Sequence, residues 1–203
     1  MKYLIIIALL AVVAAIIFWF IGGPKGPKLK DVEYLKEPRL AERLPQQVIL
    51  VELTGDPTTT VKAGCAALFK TYYKLPGISK NGKAPAILAR WPKSVETPRS
   101  EWLGRFALPV PSGITNLPET TTGAGAIKPT LTTWSGGTVA EILHVGSYAT
   151  ETPTVARLHK FIADSGYEIS GEHEEEYLRS SGMFFAGDPT TYLTIIRYPV
   201  RKK

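Results

Sequence analysis

The sequence predicts an α+β domain in which two strand-helix-strand-strand units pair into one mostly antiparallel sheet, with both helices on one face. Three observations carry this. VILVELTG (48–55) and VAEILHVG (139–146) are strand-like runs that each end in glycine. Apolar residues at helical spacing follow both: Val61, Cys65, Leu68 and Tyr72 in one, Val155, Leu158 and Ile162 in the other. Each unit then closes on an aromatic-rich strand ending in Pro-Val, WLGRFALPV (102–110) and YLTIIRYPV (192–200). The strand starts lie 91 positions apart and the Pro-Val ends 90, the offset expected of a duplication.

Taken in order, residues 1–22 read as a membrane anchor. Tyr3 to Ile21 contains no charge, glycine or proline, and nineteen helical residues span about 30 Å of hydrocarbon. Trp19 stands where an interfacial aromatic belongs, and the bulky FWFIGG end lacks the small residues of a signal-peptide cleavage site. Residues 23–30 form a Gly/Pro/Lys linker. Lys25, Lys28 and Lys30 outnumber Lys2 across the apolar run, which favours a single-pass protein with its C-terminal domain facing the cytoplasm.

The domain, 31–203, divides into repeat one (31–110), a Gly/Thr/Pro-rich connection (111–137) and repeat two (138–200). In repeat one AILAR (86–90) aligns with EYLRS (176–180) of repeat two, so Pro85 stands where repeat two has Glu175. In repeat two Thr152 is the expected helix cap, Pro153 the first helical residue, and Gly166 lies just past the helix end.

The net charge of +6 is concentrated near the anchor, and from residue 31 onward it is only +2, so no nucleic-acid partner is indicated. The single cysteine, Cys65, excludes an internal disulfide and multi-cysteine zinc sites and fits a buried thiol. The three histidines, His144, His159 and His173, are scattered and read as surface or cap residues; no metal and no cofactor is expected.

The densest chemistry is EHEEEYL (172–178). Alternation sets Glu175 and Tyr177 on one face and Glu174 and Glu176 on the other. One reading is a solvated edge strand protected by charge. The other puts Glu175 and Tyr177 on the concave face left uncovered by the helices, where a carboxylate attracts a cationic ligand. On that reading Glu174 is an inert outward residue. Tyr148, Trp91, Trp102, Trp134 and Tyr192 are further candidates for the aromatic walls.

His144-Val145-Gly146-Ser147-Tyr148, Gly171, Glu175-Glu176-Tyr177-Leu178 and Pro199-Val200 occur in the order found in the GyrI-like (AraC-type effector-binding) family, which residues 138–200 resemble closely and 31–110 only as a degenerate first repeat. The resemblance implies a tandem-repeat fold related to SOUL proteins. It also implies a central cleft for small lipophilic cations, with Glu175 facing the ligand and Tyr177 and Tyr148 beside it. Some family members resemble hydrolases of strained electrophiles, and membrane-anchored relatives include an autophagy receptor of the endoplasmic reticulum. Three functions are therefore expected for comparison: a membrane-tethered module capturing a lipophilic or cationic small molecule; a hydrolase with Glu175 as general base assisted by Tyr177; and a membrane-tethered adaptor for another protein.

Overall fold

The computed structural model describes residues 26–93, 97–119, 126–180 and 187–203. The expected anchor lies outside the described residues, and among these no helix is long and apolar enough to cross a membrane. Nine strands form the sheet: β1 (Arg39–Arg43), β2 (Gln46–Thr54), β3 (Ile87–Trp91), β4 (Leu103–Pro109), β5 (Thr130–Trp134), β6 (Gly137–Val145), β7 (Tyr167–Ile169), β8 (His173–Arg179) and β9 (Leu193–Lys202). Two helices, α1 (Pro57–Tyr72) and α2 (Thr152–Asp164), follow β2 and β6.

The strand order is β1-β6-β9-β8-β3-β4-β2-β5, with β7 added against β9, and every pairing is antiparallel. The triplet β6-β9-β8 mirrors β2-β4-β3 about the central β3/β8 pair, as a duplicated unit requires. Three strands were not expected from the sequence: β1, β5 and the short β7. β1 precedes β2 in the chain yet pairs with β6, and β5 precedes β6 yet pairs with β2. Each unit thus lends its leading strand to the other, and the sheet curls until the two crossings meet. There a Cβ on Gly136 would lie 2.2 Å from the Arg43 carbonyl oxygen, so only glycine permits the approach.

Directly opposed residues of an antiparallel ladder share a face. One cross-sheet row therefore reads Val51, Phe106, Ala89, Glu175, Ile196, Ile142. Its two ends are buried under helices. Leu68 and Tyr72 of α1 join Ile49, Val51, Phe106 and Leu108 in one core, and Leu158 and Ile162 of α2 join Ala140, Ile142, Ile196 and Val200 in another. Burying four such large apolar side chains contributes about 1.5–3 kcal/mol each, which fixes both helices to this face. Because α1 lies over β2 and β4 and α2 over β6 and β7, the central strands β3 and β8 form the floor between them.

This corrects the expected location of the groove. Glu175 and Tyr177 sit on the helix-bearing face, between the helices, and not on the uncovered face. β8 is an internal strand, which overturns the solvated-edge reading of its acids. The repeat alignment also changes: Ala89 faces Phe106 as Glu175 faces Ile196, so Ala89, not Pro85, is the counterpart of Glu175. The two lie opposite one another at the pseudo-two-fold axis. The site still carries a single axial acid.

The face opposite α1 and α2, covered in part by Leu29, Val32 and Leu35 over Leu143, Leu193 and Ile195, holds a charged row across seven strands: Glu52, Arg105, Arg90, Glu174, Arg197, Glu141, Arg39. Signs alternate except at Arg105 beside Arg90. Arg197, 3% exposed, bonds Glu141 at 2.8 Å and Glu176 at 2.6 Å and lies 3.6 Å from Glu174, whose other oxygen takes Arg90 at 3.0 Å. Glu174 is 7% exposed, so it is a buried ion-pair partner and not an inert surface residue.

Candidate functional site

Glu175 is 5% exposed at the centre of the sheet. Its Oε1 lies 3.1 Å from His173 Nε2, and His173 Nδ1 lies 2.7 Å from the Tyr198 hydroxyl. A carboxylate only accepts, so Nε2 carries the proton; a neutral ring then accepts from Tyr198 through Nδ1. The Tyr177 hydroxyl also donates to Glu175, and burial together with that carboxylate holds the phenol well above its ordinary range. Among the described residues no lysine or arginine pairs with Glu175. The arginines that neutralise Glu174 and Glu176 project from the opposite face.

The loop entering α2 completes the site. His144, 4% exposed, donates through one ring nitrogen to the Ser147 carbonyl at 3.0 Å; its other nitrogen meets the Thr154 hydroxyl at 3.0 Å. This pins the helical turn Tyr148–Thr150 and the following Glu151 above the sheet. The Tyr148 ring sits 5.6 Å from both Tyr177 and Tyr192, edge-on to the first and tilted to the second. On the far side, a Cβ on Gly171 would meet Pro199 at 2.7 Å, so glycine lets the loop before β8 lie on β9.

Glu151 is the site residue the sequence reading missed. α2 begins at Thr152, one residue earlier than expected, leaving Glu151 at the cap position without a capping hydrogen bond. Its carboxyl instead turns inward, where Glu151, His173 and Glu175 bring one ligand atom each within 4.8 Å of one another. Two carboxylates at that separation repel by about 3 kcal/mol at an effective dielectric of ~20. Burial, reinforced by the Glu175 charge, pushes Glu151 up to about 8. Its Oε2 is buried without a hydrogen-bond partner. The signal in the sequence was TETP: an acid at a helix start that the helix does not need.

The structure thus gathers Glu175, Tyr177, Tyr148 and Tyr192 and adds Glu151, His173 and Tyr198. Burial raises Tyr148 above its ordinary range and Tyr198 to about 12, so the phenols stay protonated donors. His144 and His173 are structural members of the site and not surface residues; His159 is exposed, with its ring 4.8 Å from Tyr198. Trp91 and Trp102 form a separate cluster with Phe106 on the same face, at centroid distances of 5.7 and 5.4 Å from Trp91. Trp134 lies on the opposite face, opposed to Gln46 and packed with Val48 and Leu88, with the Arg90 guanidinium 3.8 Å over its ring. That face has an open cavity of about 310 Å³ lined by Arg43, Arg90, Arg105, Trp134, Glu172 and Glu174. Its charges face one another, Arg90 with Glu174, Arg105 with Glu172 and Arg43 3.9 Å from Glu176.

No protein-family model matches the chain, and no curated protein does. Solved structures do. A conserved protein from Listeria innocua, uncharacterized, is 20% identical, with a TM-score of 0.67 over 86% of this chain and 99% of that one. A hydrolase from Listeria innocua is also 20% identical, with a TM-score of 0.64 over 86% of this chain and 99% of that one. The EcmrR C-terminal domain is 17% identical, with a TM-score of 0.56 over 82% of this chain and 98% of that one. At these identities the likeness establishes the fold: the chain has the curled antiparallel α+β sheet of these proteins.

Proposed function

We propose that the chain is a small-molecule-binding module that holds a lipophilic cation between α1 and α2, tethered to a membrane through residues 3–21. The observation that carries the reading is a 5%-exposed carboxylate, Glu175, set among tyrosine rings with no described basic partner other than His173. Removing a carboxylate from water is unfavourable unless a cation or strong donors replace the lost solvation. Tyr177 and His173 supply donors, and the rings of Tyr148 and Tyr192 offer π faces to a cation. The shared fold of the EcmrR C-terminal domain is consistent with the effector-binding resemblance of repeat two.

The test uses tetraphenylphosphonium, whose charge does not depend on pH, and full-length protein in zwitterionic nanodiscs. Glu175→Gln is expected to weaken binding ten- to hundred-fold, the scale of about 1.5–3 kcal/mol for a charge-assisted contact. Unchanged affinity refutes the reading. Tethering is tested separately: the protein is expected to stay with membranes through carbonate extraction, and release into the soluble fraction refutes it.

A second reading, a hydrolase, is favoured by one observation. The chain Tyr198–His173–Glu175 orients a carboxylate as a general base requires, and the Listeria innocua hydrolase shares the fold. Under it, Glu175→Gln would abolish turnover of an epoxide probe while retaining its binding.

A further inference from the structure

We infer that Glu151 is the second carboxylate of the cation site and shares a single proton with Glu175, which an entering cation expels. The inference rests on the cleft reading above and adds a residue and an ion exchange to it.

The geometry comes first. Glu151 arrives from the turn before α2 and Glu175 from β8, and their oxygens and His173 Nε2 lie within 4.8 Å of one another. Glu175 is fully engaged, by His173 on one side and Tyr177 on the other. Glu151 is not: its Oε2 is buried and has no partner, although the residue occupies a helix-cap position where exposed backbone N–H groups would have satisfied it. A cap acid that forgoes capping and keeps one oxygen buried and unpaired, with its carboxyl beside another carboxylate, leaves a vacancy for positive charge. The groups facing the pair are His173 and Tyr177 on β8, Tyr198 on β9, Tyr192 just before β9 and Tyr148 on the preceding turn, with His159 of α2 behind the Tyr198 ring. Opposite, on β3, stand Ile87, Ala89 and Trp91, which carry no charge. No described lysine or arginine is among these groups, so a proton fills the vacancy when the cleft is empty.

The position of Glu151, pushed up to about 8 by burial and by the Glu175 charge, sets the working range. At pH 7 the empty site holds the proton and one net negative charge. At pH 9 the proton is gone and the site carries two. Cation binding, in competition with that proton, tightens as pH rises. For an exchange centred near pH 8 the gain from pH 7 to pH 9 is about tenfold, and it levels off above.

Two measurements on full-length protein in nanodiscs test this. The first needs no ligand. Infrared difference spectra between pH 7 and pH 9 are expected to show a protonated carboxyl band that disappears on raising pH, and that is absent in both Glu151→Gln and Glu175→Gln. Loss of the band in Glu151→Gln alone would show an isolated buried acid and overturn the shared proton. Absence of the band in the wild type would overturn it outright, whatever the binding data show. The second is tetraphenylphosphonium affinity at pH 7 and pH 9. The wild type is expected to gain about tenfold and to release protons on binding, detected calorimetrically as a dependence on buffer ionisation enthalpy. Glu151→Gln, which fixes the neutral form, is expected to give one affinity at both pH values. A tenfold gain retained in Glu151→Gln overturns the assignment to Glu151. A band present with no binding at either pH overturns the cation-cleft reading, and with it the exchange, while leaving the paired proton standing.

Discussion

Replacing adjacent glutamates should produce opposite effects, because Glu174 and Glu175 face different sides of one strand. Glu174→Gln keeps the shape of the side chain and removes its charge. Arg90, with Nε and Nη2 both 3.0 Å from Oε2, then loses its counter-ion. Arg197 keeps Glu141 and Glu176. Breaking a buried pair by removing one partner costs about 3–5 kcal/mol. The Arg90 side chain is 21% exposed and glutamine retains one acceptor, so a loss of about 2–3 kcal/mol is expected here. For a domain of this size that lowers Tm by roughly 5–10 °C. Glu175→Gln removes a charge that no described lysine or arginine balances and that repels Glu151, so Tm should hold or rise by a degree or more. The assay is thermal denaturation of the full-length variants by circular dichroism at pH 8, with urea denaturation as a check on the ranking. Equal losses from both substitutions would refute the assignment of the two residues to opposite faces, and with it the placement of the site between the helices.

Three further outcomes follow from the same geometry. Glu151 is raised in the folded state, so the folded protein retains a proton that the unfolded chain has lost; stability should fall as pH rises from about 4.5 to about 8, by about 1–2 kcal/mol after screening, and Glu151→Gln should flatten the profile measured by urea denaturation. Partial burial pushes the Cys65 thiol up to about 11, so the native protein should react with iodoacetamide at pH 8 more slowly than the urea-unfolded chain; equal rates would refute its shielding. Gly136→Ala should destabilise the fold by about 2 kcal/mol or more, since the new methyl meets backbone atoms of Arg43, Leu44 and Pro45 that cannot rotate aside, and a Tm unchanged by the substitution would refute the tight crossing.

Much of the fold was legible from periodicity. β2, β4, β6 and β9 are long and apolar and sit at the repeated offset, and the apolar stripes of α1 and α2 matched their buried faces. β1 and β5 were not legible, because RLAER and TLTTW are short and polar, and their stability comes from pairing with a strand about a hundred residues away. Alternation correctly separated Glu175 and Tyr177 from Glu174 and Glu176, but it gives relative faces only. Which face the helices cover depends on rows running across strands, and Glu174 belongs to a row whose immediate neighbours are Arg90 and Arg197. Reading the charges of β3 and β9 together would have marked that face as an ion-pair face. Glu151 escaped notice because its partners are some twenty residues away and meet it only when His144 pins the turn.

The exchange of leading strands also bears on how such a chain is assembled. With β1 on β6 and β5 on β2, neither repeat is complete by itself: each, cut free, would lack a border strand and present an unsaturated sheet edge to solvent. The arrangement is that of a swapped homodimer whose two subunits have been fused end to end. A fused swap is also a clasp. The halves cannot swing apart about the β3/β8 seam without peeling both borrowed strands, so the floor between the helices keeps a constant width, and under the proposed function selectivity would fall to the side chains of the turn before α2.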